Sequence, residues 1–350
     1  MAWRNRILAS RKFQSFAVRF PLTRPIARRR AARLFDLVAG FTYSQILSAC
    51  VQTRLLEKLA DRPKDAVAIA SEIDLPIEGA ERLLRGAAAL GLVEPIGSAW
   101  TLGQQGAALL GNRGIAEMVA HHHLLYADLA DPVALLRRGG GGGQLSRHWH
   151  YAESAGNDGD VAPYSALMAA SQPLIAEQII AAYPFAKHRR MLDVGGGEGA
   201  FLESVAAAVP KLKLGLFDLP PVVARARVGK DVERFGGSFL ADPLPTGFDL
   251  VTLVRVLHDH DDAPALALLR RIHAVLPDGG RLLIAEPMAQ TPGVEPSGDA
   301  YFGFYLLAMG SGRPRSMDEI GALLREAGFA SVRPVATRLP LTVRAIVANR

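Results

Sequence analysis

Apolar residues between Phe35 and about Asp131 recur with a helical period. Phe41, Ile46, Leu47, Cys50 and Val51 stand mainly three to five apart, with more apolar residues to Leu59, a spacing that lays one stripe of a helix against a core. The pattern then predicts helices over residues 67–73 and 77–90, separated by the break Leu75-Pro76, and short strands at 91–94 and 99–102. That is a helix-turn-helix followed by a two-stranded wing. Beyond about residue 190 the rhythm changes. Residues 191–194, 213–217, the run from Phe248 to Asp259 and residues 281–285 are near-continuous apolar stretches, as expected of parallel strands covered on both faces. A helix over residues 317–327, stopped by Gly328, and strands at 331–335 and 342–347 close the chain with an antiparallel edge. The predicted fold class is α/β: a Rossmann-like sheet preceded by a mainly helical winged-helix domain.

Charge divides the chain further. Residues 1–34 hold ten Lys or Arg and no acid, while the remainder holds 30 basic and 34 acidic residues, so the formal net charge of +6 arises wholly in the arm. Trp3, Ile7, Leu8, Phe13, Phe16, Phe20 and Leu22 are interleaved with those cations. Basic residues with aromatics suit an anionic membrane surface, where each Lys or Arg contributes about 1 kcal/mol. A solubilising tail or an Arg-rich transit peptide has the same composition. No run of 18 or more apolar residues is present, so no transmembrane helix is expected. The single cysteine, Cys50, excludes an internal disulfide framework, suits a reducing compartment and reads as a small buried hydrophobe. At 350 residues two cores are expected. The expected organisation is a basic arm at 1–34, a winged-helix-like domain at 35–135, a glycine-rich hinge and linker helix at 136–170 and a catalytic domain at 171–350. The expected location is the cytoplasm, with peripheral contact at the inner membrane.

The chemistry concentrates in Met191-Leu192-Asp193-Val194-Gly195-Gly196-Gly197-Glu198-Gly199-Ala200, a strand and a side-chain-poor turn that lead into an apolar helix over residues 201–209. Glycines let a cofactor approach the backbone and permit φ values that a Cβ makes costly. Nicotinamide and flavin enzymes use such a turn as well, and two acids separate the readings. Asp193 places a carboxylate where it can hold an ammonium group. Asp218, ending the second strand, can take both ribose hydroxyls. An ammonium and a ribose without a pyrophosphate describe S-adenosylmethionine better than a dinucleotide. Asp242, in Ala241-Asp242-Pro243-Leu244, can accept from an adenine amino group. The strand from Phe248 ends at His258 and Asp259, and ligands of open α/β sheets lie at the carboxyl ends of strands. His258 is therefore the candidate general base, able to take a proton from an attacking hydroxyl near neutral pH. Asp259, or Glu286 at the end of the next strand, would hold its tautomer. His260 is the alternative base, and a strand cap is the alternative role.

In order, Asp193–Gly199, Phe217-Asp218-Leu219-Pro220, Ala241–Leu244, Val256–His260 and Leu276–Glu286 resemble the motifs of class I S-adenosylmethionine-dependent O-methyltransferases. The similar branch contains the plant phenylpropanoid and acetylserotonin methyltransferases, and the resemblance runs from about Phe35 to the C-terminus. It implies a homodimer paired through the winged-helix domain, S-adenosylmethionine as cofactor, and an apolar hydroxylated acceptor entering between the domains. It also implies a cofactor shell of Asp193, Gly195, Gly197, Asp218, Leu219, Asp242, Pro243 and Arg255. Trp149, Tyr164, Met168, Tyr301, Phe304 and Met309 would line the acceptor pocket, although each reads equally as interdomain core. Residues 24–37, 144–149, 163–172 and 299–316 are most similar to the bacterial enzymes that methylate the 1-hydroxyl of acyclic carotenoids. One departure stands out. Plant members carry a glutamate where this chain has Pro314-Arg315-Ser316, leaving Asp259 or Glu286 to orient His258. A tertiary alcohol is far less acidic than a phenol, so the base must act in concert with transfer, and proximity supplies roughly 7 to 11 kcal/mol in well-oriented reactions.

Two rival functions draw on the same features. A phenolic or polyketide acceptor would need only a differently shaped pocket. A winged-helix transcriptional regulator with a vestigial cofactor fold would need a basic recognition helix, and Glu78, Glu81, Arg82 and Arg85 do not make one. No metal is expected, because no carboxylate cluster of magnesium type accompanies the cofactor motifs. His121-His122-His123 do not change this, since consecutive helical positions diverge by about 100°. The run Gly139–Gly143 lacks the Lys-Ser/Thr of a phosphate loop and is expected as a flexible surface hinge.

Overall fold

The computed structural model describes residues 2–148 and 171–350. Two compact units form, Met1–Gly111 and Asn112–Arg350. In the first, helices Ala2–Ala9, Arg11–Arg19 and Arg24–Gln52 lead the chain. The arm is thus helical, and its last part continues without a break into the helix expected from Phe35. Pro25 does not interrupt it, because it sits in the first turn, where its missing N–H has no helical partner to lose. As one 29-residue element, Arg24–Gln52 is long and apolar enough, by length and composition, to cross a membrane. A search for uninterrupted apolar runs passes over it because Thr42, Ser44, Gln45 and Ser48 intervene. Leu34, Phe35, Leu37, Val38 and Phe41 on this helix are exposed. Its C-terminal end packs Cys50 with Leu55, Leu56, Ile69 and Leu84, and burial pushes the Cys50 thiol up to about 12. Helices Ala66–Glu72 and Ile77–Ala89 and strands β1 (Lys64–Asp65), β2 (Val93–Ile96) and β3 (Ala99–Leu102) complete the expected winged helix. The wing gains a third strand, with antiparallel order β1-β3-β2.

In the second unit, β4 (Arg190–Val194), β5 (Lys213–Asp218), β6 (Glu233–Gly236), β7 (Leu250–Val254), β8 (Arg281–Glu286), β9 (Ser331–Val335) and β10 (Arg344–Asn349) form one sheet. Its order is β6-β5-β4-β7-β8-β10-β9. The first five strands are parallel, and β10 runs antiparallel to both neighbours. Alternate residues face opposite layers: Leu192, Val251, Leu268 and Ile284 on one side, Met191, Phe201, Leu250 and Leu283 on the other. Strand order reverses between β4 and β7, and their carboxyl ends open the crevice where such sheets hold ligands.

Three expectations need correction. Strand β7 ends at Val254 rather than at His258, because Arg255 takes a left-handed φ of 56° that cannot continue a ladder, and Leu257–Asp259 then form a 3-10 turn. Helix Arg113–Asp128 joins the second unit, where Leu125 packs with Leu135, Leu145, Leu306 and Met309. The unit boundary therefore lies at 111, not 135. The glycine run is packed rather than hinge-like. Gly139, Gly140, Gly141 and Gly142 all have positive φ, the Gly141 N–H donates to the Leu307 carbonyl at 2.9 Å, and Arg138 Nε donates to the Gly141 carbonyl at 2.7 Å. The Asp128 carboxylate then accepts the N–H groups of Gln144 and Leu145 at 2.6 and 2.9 Å. A Cβ on Gly140 would overlap the Leu307 carbonyl oxygen, so close backbone approach explains the glycine.

Candidate active site

The turn after β4 is tied to β5 through its backbone. The Gly195 N–H donates to the Phe217 carbonyl at 2.8 Å, and the Gly197 N–H donates to Asp218 Oδ2 at 2.7 Å. Asp218 Oδ1 accepts the Leu219 N–H at 2.7 Å, so the carboxylate sits where β5 ends, as the sequence placed it. Gly195 and Gly197 have φ of 70° and 60°. A Cβ on Gly195 would press on Val256, whereas nothing lies within 4 Å of one on Gly197, which marks open space over the turn. Asp242 and Pro243 are exposed in the loop after β6. Asp242 Oδ2 accepts the Ser238 N–H at 2.8 Å, and a Cβ on Gly237 would lie 3.0 Å from Phe217 and 3.2 Å from Asp242, so this loop closes on the end of β5.

Asp193 is not in the open crevice; it is buried beneath the turn. Its Oδ1 accepts the Thr252 hydroxyl at 2.5 Å, and its Oδ2, covered by Gly196, has no hydrogen-bond partner among the described residues. Burial pushes its pKa up to about 7, with the Thr252 bond opposing and the charge on Asp218 reinforcing the rise. A buried carboxylate with one unsatisfied oxygen is electrostatically poised for a cation. That orphaned oxygen, the side-chain-free turn and the acids that end β5 and follow β6 fit S-adenosylmethionine.

His258 is 5% exposed. Its Nε2 lies 3.2 Å from Asp259 Oδ1, and its backbone N–H donates to Glu286 Oε2 at 3.1 Å. Both acids that the sequence left as alternatives are in place, one against the ring and one against the peptide. The ring stacks on Phe302 with centroids 6.0 Å apart. Nδ1 has no hydrogen-bond partner among the described residues, so an Nε2–H aimed at Asp259 leaves the lone pair on Nδ1. Burial works against the imidazolium, but Asp259 and then Glu286 outweigh burial and Arg255, and the His258 pKa is held above the ordinary imidazole value. Burial pushes the Glu286 carboxyl up, with His258 and Arg315 opposing. Burial pulls His260 down; its ring meets Phe239 edge-on.

Arg255 does not reach toward the glycine turn through its described bonds. Its guanidinium donates to Ser171 Oγ at 2.7 Å and to Gln172 Oε1, both among the helical residues 171–182. Sequence reasoning passed over Arg315, reading Pro314-Arg315-Ser316 only for a missing acid. The side chain is fully buried and reaches back to the turn that carries His258: it donates to the carbonyls of Leu257 at 2.9 Å and His260 at 2.7 Å, and to Asp262 Oδ1 at 2.9 Å. Only its place before a capping-box helix, where Ser316 caps Met317–Glu326 with Glu319, could have hinted that the segment is held in one conformation.

Tyr301, Phe304 and Met309, expected to line an acceptor pocket, lie on two consecutive helical segments. Tyr301 and Phe302 lie in a π-helical segment, Pro296–Phe302, a rare form that recurs at functional sites. His122 Nε2 lies 2.7 Å from the Tyr301 hydroxyl, and His121 Nε2 lies 3.1 Å from that of Tyr305. His123 turns to the Ala120 carbonyl. The three histidines thus have separate partners, and no group of three metal-ligating side chains occurs among the described residues. Burial lowers the His122 pKa and raises that of Tyr301. Phe304 is 37% exposed, whereas Met309, at 4%, belongs to the core with Leu125, Leu135 and Leu306. Of its two expected roles, pocket wall and core, the packing is that of the core. Trp149, Tyr164 and Met168 lie outside the described residues.

Comparison with known proteins follows the same division. Residues 126–330 match the O-methyltransferase domain, and residues 35–112 match the O-methyltransferase dimerisation domain. The chain is 43% identical over 357 aligned positions to demethylspheroidene O-methyltransferase of Cereibacter sphaeroides, covering 99% of this chain and 94% of the relative. The enzyme of the same name from Rhodobacter capsulatus is 42% identical over 350 positions, covering 99% and 89%. Among solved structures, human N-acetylserotonin methyltransferase in complex with SAM is similar with a TM-score of 0.78 at 25% identity, covering 91% of this chain and 97% of that one.

Proposed function

The chain belongs to the O-methyltransferase family, is S-adenosylmethionine-dependent and forms a homodimer through the dimerisation domain, and from that premise we propose that it methylates the tertiary 1-hydroxyl of an acyclic carotenoid. The observation that carries this reading is the near full-length similarity to two demethylspheroidene O-methyltransferases. The cofactor shell in this reading is Gly195, Gly197, Asp218, Leu219, Asp242 and Pro243, with Asp193 acting electrostatically from beneath the turn. When bound, S-adenosylmethionine supplies an electrophilic methyl group. His258 Nδ1 receives the proton of the acceptor hydroxyl, Asp259 keeps Nε2 protonated and stabilises the imidazolium that forms, and Glu286 holds the His258 peptide. Phe302, Tyr301 and Phe304 present apolar surface to the acceptor. The test is methyl transfer from labelled S-adenosylmethionine to acyclic 1-hydroxycarotenoids in detergent, beside catechols, flavonoids and polyketide phenols. Label on the carotenoids is expected. Label only on phenols would sink the carotenoid reading and leave the enzyme class standing.

A membrane-dissolved acceptor makes sense of the arm. We propose that it lies on the anionic cytoplasmic face of the inner membrane. Helix Arg11–Arg19 is amphipathic, with Arg11, Lys12 and Arg19 along it, and Trp3, Phe16, Phe20 and Leu22 are exposed. Each cation near such a surface contributes about 1 kcal/mol, so changing Arg11, Lys12 and Arg19 together to Glu is expected to weaken vesicle binding by at least roughly 100-fold. Sedimentation with phosphatidylserine vesicles would measure this, and equal binding to uncharged phosphatidylcholine vesicles would refute it.

A further inference from the structure

We infer that Arg315 is a positioning residue for His258, fixing from below the turn that carries the imidazole. The inference rests on His258 being the base. Four successive carbonyls of that turn each receive a donor from the segment 311–315. Arg315 Nη1 reaches Leu257 at 2.9 Å, the Arg313 N–H reaches His258 at 2.9 Å, the Ser311 hydroxyl reaches Asp259 at 2.8 Å and Arg315 Nη2 reaches His260 at 2.7 Å. The two guanidinium bonds fall on the outermost carbonyls. A guanidinium is a rigid planar fork, so it sets the separation of the two ends of the turn and with it the pitch of the ring between them.

Ion pairing alone does not account for the burial of this cation. Its one close carboxylate partner among the described residues, Asp262, has a side chain 55% exposed while that of Arg315 is fully buried, and a buried charge is retained only where its donors are satisfied. Here they are satisfied by the catalytic turn. The charge also opposes the upward push of burial on Glu286, which accepts the His258 peptide N–H. Arg315 thus acts on the base through the backbone on one side and through Glu286 on the other, without touching the imidazole. Asp259, Glu286, Arg255, His260 and the stacked Phe302 are the groups that face the ring or its turn.

The experiment compares Arg315→Met, Arg315→Lys and His258→Asn in the full-length dimer. A misplacement of about 1 Å at a reacting group costs on the order of 100-fold, so Arg315→Met is expected to lower kcat by that factor with KM for the acceptor and calorimetric Kd for S-adenosylmethionine unchanged. In nitrogen-15 histidine spectra, the signal lost in His258→Asn identifies the catalytic ring; its single Nε2–H tautomer in the wild type is expected to become a mixture in Arg315→Met. Wild-type kcat, or a fall in kcat matched by weakened cofactor binding with the tautomer unchanged, would overturn the proposal. Should Arg315→Met fail to fold, Arg315→Lys decides alone. It keeps the charge but cannot bridge both carbonyls, so a lowered kcat at unchanged KM and Kd supports positioning, and wild-type kcat refutes it. Full activity in His258→Asn would sink the base itself, whereas an inactive His258→Asn beside fully active Arg315 variants would sink only the positioning role.

Discussion

Replacing His258 with alanine is expected to lower kcat by roughly 10²- to 10⁴-fold, the usual contribution of a positioned general base, with S-adenosylmethionine affinity unchanged. The separation follows from the geometry. The proposed cofactor shell hangs on the ends of β4 and β5 and the loop after β6, whereas His258 lies beyond the end of β7 and is held by Asp259 and Glu286. Removing the ring takes away the proton acceptor without touching Gly195, Gly197 or Asp218. The same geometry sets a pH dependence. As the proposed base, His258 must be neutral to work, and its carboxylate neighbours hold its pKa above the ordinary imidazole value against burial. Activity is therefore expected to fall on acidification at a higher pH than a solvent-exposed histidine would give. Asp259→Asn removes the larger of the two charges that favour the imidazolium and should move that acid limb to lower pH. Steady-state pH profiles of the wild type, His258→Ala and Asp259→Asn would measure both effects; a His258→Ala enzyme with near wild-type kcat would transfer the base role to His260.

The second large effect is on stability. Gly140→Ala is expected to cost roughly 2 to 5 kcal/mol, combining about 1 to 2 kcal/mol for a left-handed non-glycine residue with about 1 to 3 kcal/mol for overpacking. Gly140 has a φ of 99° and its Cβ would run into the Leu307 backbone carbonyl, which belongs to helix Gly303–Met309 and cannot swing aside like a side chain. Gly139→Ala is the internal control. Its φ is 76° but nothing lies within 4 Å of the new Cβ, so only the conformational part, about 1 to 2 kcal/mol, should appear. Urea unfolding of the two variants gives the difference. A flexible hinge would tolerate both changes equally, so equal midpoints would restore the hinge reading of the glycine run. Because Met309 and Tyr305 sit in the same layer, the more damaging change should also disturb the π-helical segment that carries Tyr301 and Phe302.

Most of the candidate site was legible in local chemistry. The glycine turn, Asp218 at the end of β5, and His258 with Asp259 and Glu286 are readable because each sits at the end of a strand whose apolar run is unmistakable, and because glycine and carboxylate at those positions have few other uses. The winged helix was readable from its period. The placement of Arg315 was not, because its partners, Leu257, His260 and Asp262, are more than fifty residues away and two of the three contacts are to backbone carbonyls, which carry no side-chain signature. The glycine run failed for the same reason. Five glycines read as freedom in an isolated peptide, yet at 139–143 the missing Cβ atoms are what let the backbone lie against Leu307 and Gly310. Asp193 was found, but its depth was not.

By itself, then, the sequence determined the fold class and the order of the strands' chemical ends and singled out His258 as the candidate base, since these depend on hydrophobic period and on residue type within a few positions. The tertiary structure alone decided which acid meets the ring and which the peptide, that Met309 is core, that Arg113–Asp128 packs with the catalytic unit, and that an arginine lies beneath the turn of His258. Those are contacts between segments far apart along the chain, set by how the layers pack rather than by any pattern within one of them.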